Sequence, residues 1–158
     1  MNCIGLAKMK GAIMGLDNGI VLATKHKINL DALPDYLTVE ADNWREKYDD
    51  YSGFFYYDIC YWRKCWNIRS HILGLHPDCD KDNYEYRLEN SHVKSLQQIL
   101  INYLCDISKW EEEYEGGETI WDADCMINHL ARDVVNLGWL INFLKEHPTS
   151  RVLFYDSY

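Results

Sequence analysis

The 158-residue chain predicts an α+β domain, with three or four helices packed on a small antiparallel sheet that joins the N- and C-terminal strands. Three observations predict it. Apolar residues recur at helical spacing from about residue 90 and again from about residue 123. Both ends of the chain have β character, in "GIVLAT" and "RVLFYDSY". At 47 % apolar and 14 % aromatic residues, one domain spanning 1–158 has enough material for a core.

Taken in order, "IMGLDNGIVLATKHKI" reads as a hairpin. Asn18-Gly19 is the favoured two-residue turn because both residue types tolerate positive φ, and the strand after the turn is better supported than the one before it. Met14 is an alternative start, which makes residues 1–13 an N-terminal extension. Pro34 breaks the following stretch. Trp44, Lys47 and Tyr48 suggest a short amphipathic helix, which Ser52-Gly53 closes. Phe54 to Leu73 contains no proline or glycine and reads as one long helix, stopped by Gly74 and Pro77. "HPDCDKDNYEYRLEN" reads as a polar loop. A helix starting near Asn90 or Ser91 presents Val93, Leu96, Leu100, Tyr103, Leu104 and Ile107. "EEEYEGGET" is a charged loop. The last helix, capped by Asp122, carries Ile127, Leu130, Val134, Leu137, Ile141 and Leu144. Pro148 follows it, and Val152, Phe154 and Tyr158 alternate in a final strand whose natural partner is the strand at the other terminus.

The totals exclude several classes. A net charge of −9 argues against a direct nucleic-acid binder. No apolar run approaches the roughly 20 residues of a membrane span. "MNCIGLAKMKGAIMG" lacks the layout of a secretory signal, so the expected location is the cytoplasm, where the six cysteines stay thiols.

"YWRKCWNIR" concentrates cations and indoles within an acidic chain. On a helix, Arg63 and Lys64 fall on a polar face and read as solvated cations. Arg69 instead projects from an apolar arc, where an unpaired guanidinium is costly. Asp58 is about 16 Å from it along such a helix, too far to pair. Arg69 therefore needs another partner, either an acidic residue elsewhere in the fold or an anionic ligand. A guanidinium fork beside the indole of Trp62 or Trp66 suits phosphate and a stacked base, although both tryptophans also fit a core.

Other chemistry is less well supported. Asp78, Asp80, Asp82 and Glu89 occupy the first, third, fifth and twelfth places of a calcium loop. Gly74 and Pro77 end the incoming helix too early for that motif, and a solvated acidic loop is the better reading. The cysteines form no C-x-x-C pair, so no metal site is assigned. There is no nucleophile elbow and no glycine-rich phosphate loop, and neither catalytic residues nor a cofactor are assigned.

"MGLDNGI" (14–20), "CYWRKCWNIR" (60–69) and "FYDSY" (154–158) together resemble a family of small proteins encoded by bacteriophages and mobile elements. Its members open with a Met-Gly-Leu-Asp strand, carry a Tyr-Trp-Arg-Lys helix and close on an aromatic, serine-containing strand. The resemblance spans nearly the whole chain at low density, and it implies an origin more than a mechanism. Small phage proteins commonly blunt host defence by binding something.

The leading expectation is thus a phage-type binding protein that captures a small anionic, nucleotide-like ligand as a host-defence antagonist. Arg69 holds the anion, an indole stacks the base, and Asp58 or Asn67 orients polar edges. Asp17, Asn18, Trp62, Arg63, Trp66, Asn67 and Arg69 form or border the site. One alternative is an inhibitor of a host defence nuclease that mimics nucleic acid with residues 78–89 and 111–118. Another is an enzyme that degrades the nucleotide signal. A phage protein with no pocket is a further reading. An aromatic-rich chain of this size is also a candidate homo-oligomer.

Overall fold

The computed structural model describes residues 17–37, 46–63, 65–75, 85–109 and 123–157. The elements are β1 (Asp17–Thr24), a 3-10 turn (Leu30–Ala32), β2 (Glu46–Asp49), β3 (Phe54–Arg63), α1 (Trp66–Leu75), β4 (Glu85–Leu88), α2 (Asn90–Cys105), α3 (Ala123–Glu146) and β5 (Arg151–Ser157). The five strands form one antiparallel sheet in the order β2-β3-β1-β5-β4. The α+β expectation holds, and β1 and β5 do join the two ends of the chain at the centre of the sheet.

Alternation explains the layering. Ile20 and Leu22 of β1, Tyr57 and Trp62 of β3, and Val152 and Phe154 of β5 share one core with Ile68 and Ile72 of α1, Leu96 and Leu100 of α2, and Leu130 and Leu137 of α3. The expected stripe of α2 is buried at Val93, Leu96, Leu100 and Tyr103. On α3, Leu130, Leu137 and Ile141 are buried, whereas Ile127 stays exposed.

Four sequence expectations are corrected. Phe54 to Leu73 is not one helix: its first half is β3 and its second half opens α1. The absence of proline and glycine permits a helix but does not require one. The density of Phe, Tyr, Ile and Trp suits a pleated, half-buried surface better, and in a central strand that preference wins. Asn18-Gly19 is not a turn, because both residues lie inside β1 and pair with β3 on one side and β5 on the other. The turn is at Gly53, at φ 70°, between β2 and β3. There Gly53 N donates to Asp49 O and the Asp49 carboxylate accepts from Tyr51 N and Ser52 N. Residues 46–49 form a strand in place of the short helix. Likewise, 85–88 is strand within the expected polar loop. Tyr86 and Leu88 face the core, and the Tyr86 ring lies 6.0 Å from that of Phe154.

Several expectations fall outside the described residues. They are the extension 1–13 and the strand before Asn18, Trp44, most of the calcium-type loop including Asp78, Asp80 and Asp82, the acidic run 111–118, the Asp122 cap and Tyr158. The side chain of Trp66 is likewise outside them.

Candidate functional site

The register brings together the three stretches on which the family resemblance rests. Across β5, β1 and β3, the rows run Ser157–Asp17–Arg63, Asp156–Asn18–Trp62, Tyr155–Gly19–Tyr61 and Phe154–Ile20–Cys60. Segments far apart in the chain are thus neighbours at one end of the sheet, where β3 runs out toward α1.

Period-2 alternation then divides the predicted site residues between two faces. Asn18 and Trp62 face the helices, together with Asp156. Asp17 and Arg63 face away from the helices, in line with Gly19, Tyr61 and Tyr155. Asp58 joins this outer set because a bulge shifts the register between Ile20, opposite Cys60, and Val21, opposite Asp58. Asn67 and Arg69 belong to α1, on the helix side. The structure therefore separates residues that a single helix would have gathered.

On the helix side, the polar groups are tied into the fold. Arg69 Nε donates to Asp156 at 3.0 Å (Oδ1) and 2.8 Å (Oδ2). The expectation that Arg69 offers its guanidinium edge to an external anion is corrected at this nitrogen: its partner is a carboxylate of β5, 2 % exposed. Burial pushes the Asp156 carboxyl above its ordinary range, with Arg69 pulling the other way. Trp62 is 1 % exposed and donates from Nε1 to Asp133 Oδ2 at 2.8 Å, so its indole is core and not a stacking surface. Asn67 is buried, and its Oδ1 accepts from Ile68 N at 3.0 Å.

Asn67 Nδ2 has no hydrogen-bond partner among the described residues. Asn18 is fully buried between Trp62 and Asp156, yet among the described residues neither its Oδ1 nor its Nδ2 has a hydrogen-bond partner. An unsatisfied buried amide costs about 1–3 kcal/mol.

Sequence reasoning missed the polar residues that α3 turns toward the sheet, among them the buried Asp133 and Asn136. His129 Nε2 lies 3.1 Å from Tyr61 O and 3.3 Å from Asp133 Oδ2, and Asn136 Nδ2 donates to Ile59 O at 3.2 Å. Burial, with Arg132 adding to it, lowers His129 to about 4, so the ring is neutral at pH 7 and Nε2 carries the proton toward Tyr61 O. Burial raises Asp133 to about 7, against the pull of Arg132 and the Trp62 hydrogen bond. A signal was present: Asp133 falls between Leu130 and Leu137 on the apolar stripe, a place where only a partnered carboxylate is tolerated. Cys60 and Cys65 are buried, and burial holds both thiols above their usual range, Cys65 at about 12. Neither is a thiolate poised for attack.

On the outer face, Gly19 serves close approach. A Cβ there would lie 2.4 Å from Cys60 O and 2.6 Å from the Tyr155 ring, so only glycine lets that ring lie against β1. Tyr61 is 42 % exposed and its hydroxyl donates to Asp17 Oδ1 at 2.9 Å. Burial, reinforced by Asp17, raises Tyr61 to about 12 and keeps it a donor. Asp58, Tyr61 and Asp17 add to burial in raising Tyr155. Arg63 stands opposite Asp17 and is exposed; its backbone O accepts from Cys65 Sγ at 3.4 Å, but its guanidinium has no hydrogen bond or ion pair among the described residues. At the other end of this face, Arg151 lies 4.9 Å above the Phe54 ring.

Among the described residues, no group of three or more His, Cys, Asp or Glu side chains gathers as a metal site, and no helix is long and apolar enough to cross a membrane. Comparison of the chain with protein-family models, with curated proteins and with solved structures gave no match.

Proposed function

We propose that the chain is a binding protein for a small anionic, nucleotide-like ligand, held on the outer face where β1, β3 and β5 meet. The observation that carries this reading is the convergence of Asp17, Tyr61, Arg63 and Tyr155 on one patch. Arg63 supplies an exposed guanidinium for a phosphate, and Tyr61 offers an accessible aromatic ring for a base. Asp17 and Asp58 line the same patch with carboxylates, which accept from N–H and O–H groups. The anion is assigned to Arg63 and not to Arg69, whose Nε is bonded to Asp156. The resemblance of these three strands to a phage and mobile-element family supports a role as a host-defence antagonist that sequesters a nucleotide signal in the host cytoplasm.

Purified protein screened by thermal shift against linear and cyclic nucleotides tests the reading, with mass analysis of the ligand afterwards. The expected result is a shift with at least one nucleotide, its loss in Arg63→Ala, and recovery of the ligand intact. Absence of any shift sinks the reading, and recovery of a cleaved product converts it into the nucleotide-degrading alternative.

A further inference from the structure

We propose that Asp17 is a specificity residue of this patch, selecting ribonucleotides over 2′-deoxyribonucleotides; the inference rests on the ligand reading above. Three features of the structure point to it. First, Asp17 and Arg63 are directly opposed on neighbouring antiparallel strands, which places their Cα atoms about 4.5–5.5 Å apart with side chains on one face. Opposite charges at that spacing ordinarily pair across the strands. Here no ion pair forms between them, and Asp17 Oδ1 instead accepts from the Tyr61 hydroxyl. Second, that bond fixes the carboxylate without satisfying it. Oδ2 has no hydrogen-bond or ion-pair partner among the described residues, and an ionised carboxylate accepts up to four hydrogen bonds. Third, the patch combines one fixed acceptor with one adjacent exposed cation.

This pairing matches a ribose 5′-phosphate. The phosphate, on the exocyclic C5′, and the vicinal hydroxyls, on C2′ and C3′, are carried by one sugar, so neighbouring protein groups reach both. The base edge projects away from the ring and is out of reach of the same pair. Asp17 repels phosphate and accepts from hydroxyls, and Arg63 does the reverse, so the ligand is held in one orientation. Tyr61 then positions the carboxylate and borders the base.

Titration calorimetry with the four ribonucleoside monophosphates and their 2′-deoxy counterparts tests the inference on the whole chain. Loss of one charge-assisted hydrogen bond corresponds to roughly ten- to hundredfold in affinity, which is the expected preference for the ribo form. Asp17→Asn, which keeps an acceptor for Tyr61, is expected to bring the ratio close to one while the deoxy form still binds. Arg63→Ala is expected to weaken both forms alike. Equal affinity for ribo and deoxy ligands overturns the ribose assignment and leaves the ligand reading standing. An unchanged ratio in Asp17→Asn does the same. Binding of neither form, with the far-ultraviolet circular dichroism of the fold intact, overturns the ribose assignment, and the ligand reading falls with it when the wider nucleotide screen also gives no shift.

Discussion

Arg69 of α1 and Asp156 of β5, 87 residues apart, meet through Nε at 2.8 Å from Oδ2 and 3.0 Å from Oδ1. The pair fastens the first helix to the strand beside β1. The two arginines of "YWRKCWNIR" thus differ: Arg69, half-buried, is bonded within the fold through Nε, whereas Arg63, at the end of β3, is exposed.

Removing one side of that pair leaves a nearly buried carboxylate without its cation. Arg69→Ala is therefore expected to destabilise the chain by about 3 kcal/mol. The replacement of both residues, Arg69→Met with Asp156→Leu, is expected to cost less than the sum of Arg69→Met and Asp156→Leu alone. Urea denaturation of the singles and the double measures this. Additive losses would show that the two side chains are not coupled.

Asn18 gives the opposite sign. Its amide is buried between Trp62 and Asp156, with neither end bonded among the described residues. Asn18→Val removes the unpartnered groups and places a β-branched side chain in a central strand, so stability is expected to rise by about 1–3 kcal/mol, read as a higher urea midpoint. A lower midpoint would mean that the amide contributes to folding.

Gly19→Ala is expected to be among the costliest single-methyl changes in the sheet. The added carbon meets the Cys60 carbonyl oxygen, part of a backbone that cannot swing aside, as well as the Tyr155 ring. A loss of about 3 kcal/mol is expected, the upper end of overpacking. Gly53→Ala tests a different cause, because nothing lies within 4 Å of its added carbon and the only penalty is its φ of 70°. Thermal or urea unfolding of both variants compares the two. If they lose equal stability, the close-approach account of Gly19 is wrong.

His129 and Asp133 make opposing demands on pH. The His129 value of about 4 lies below its unfolded value near 6.5, so the folded state binds fewer protons between these limits and stability rises with pH there. The Asp133 value of about 7 lies above its unfolded value near 3.8, so the folded state binds more protons and stability falls as pH rises from about 4 to 7. Each slope is about 1.4 kcal/mol per pH unit, and over the shared window they offset each other. Wild type is accordingly expected to be nearly flat between pH 4 and 6.5 from this pair. Asp133→Asn is expected to gain stability with rising pH, and His129→Gln to lose it. Denaturation midpoints across that range decide the matter; parallel profiles for the two variants would remove the pair as the cause.

Much of the architecture was readable from the sequence because it follows from local periodicity. The α2 stripe from Val93 to Tyr103 and the α3 residues Leu130, Leu137 and Ile141 repeat at helical spacing. The alternation of Val152 and Phe154 leaves few options for the last segment. Those patterns specify helices and a strand whatever they pack against, and with them the α+β class. What the sequence left open was the conformation of Phe54 to Arg63, since a run of aromatic and branched residues without proline or glycine fits either period. Tertiary pairing settled it: flanked by β1 and β2, the segment is more stable as a strand than as a helix. That outcome placed Asp17, Tyr61 and Arg63 on one face and Asn18, Trp62 and Arg69 on the other. Which arginine is bonded within the fold depends on Asp156, remote in sequence, and so on chain pairing that no local pattern encodes.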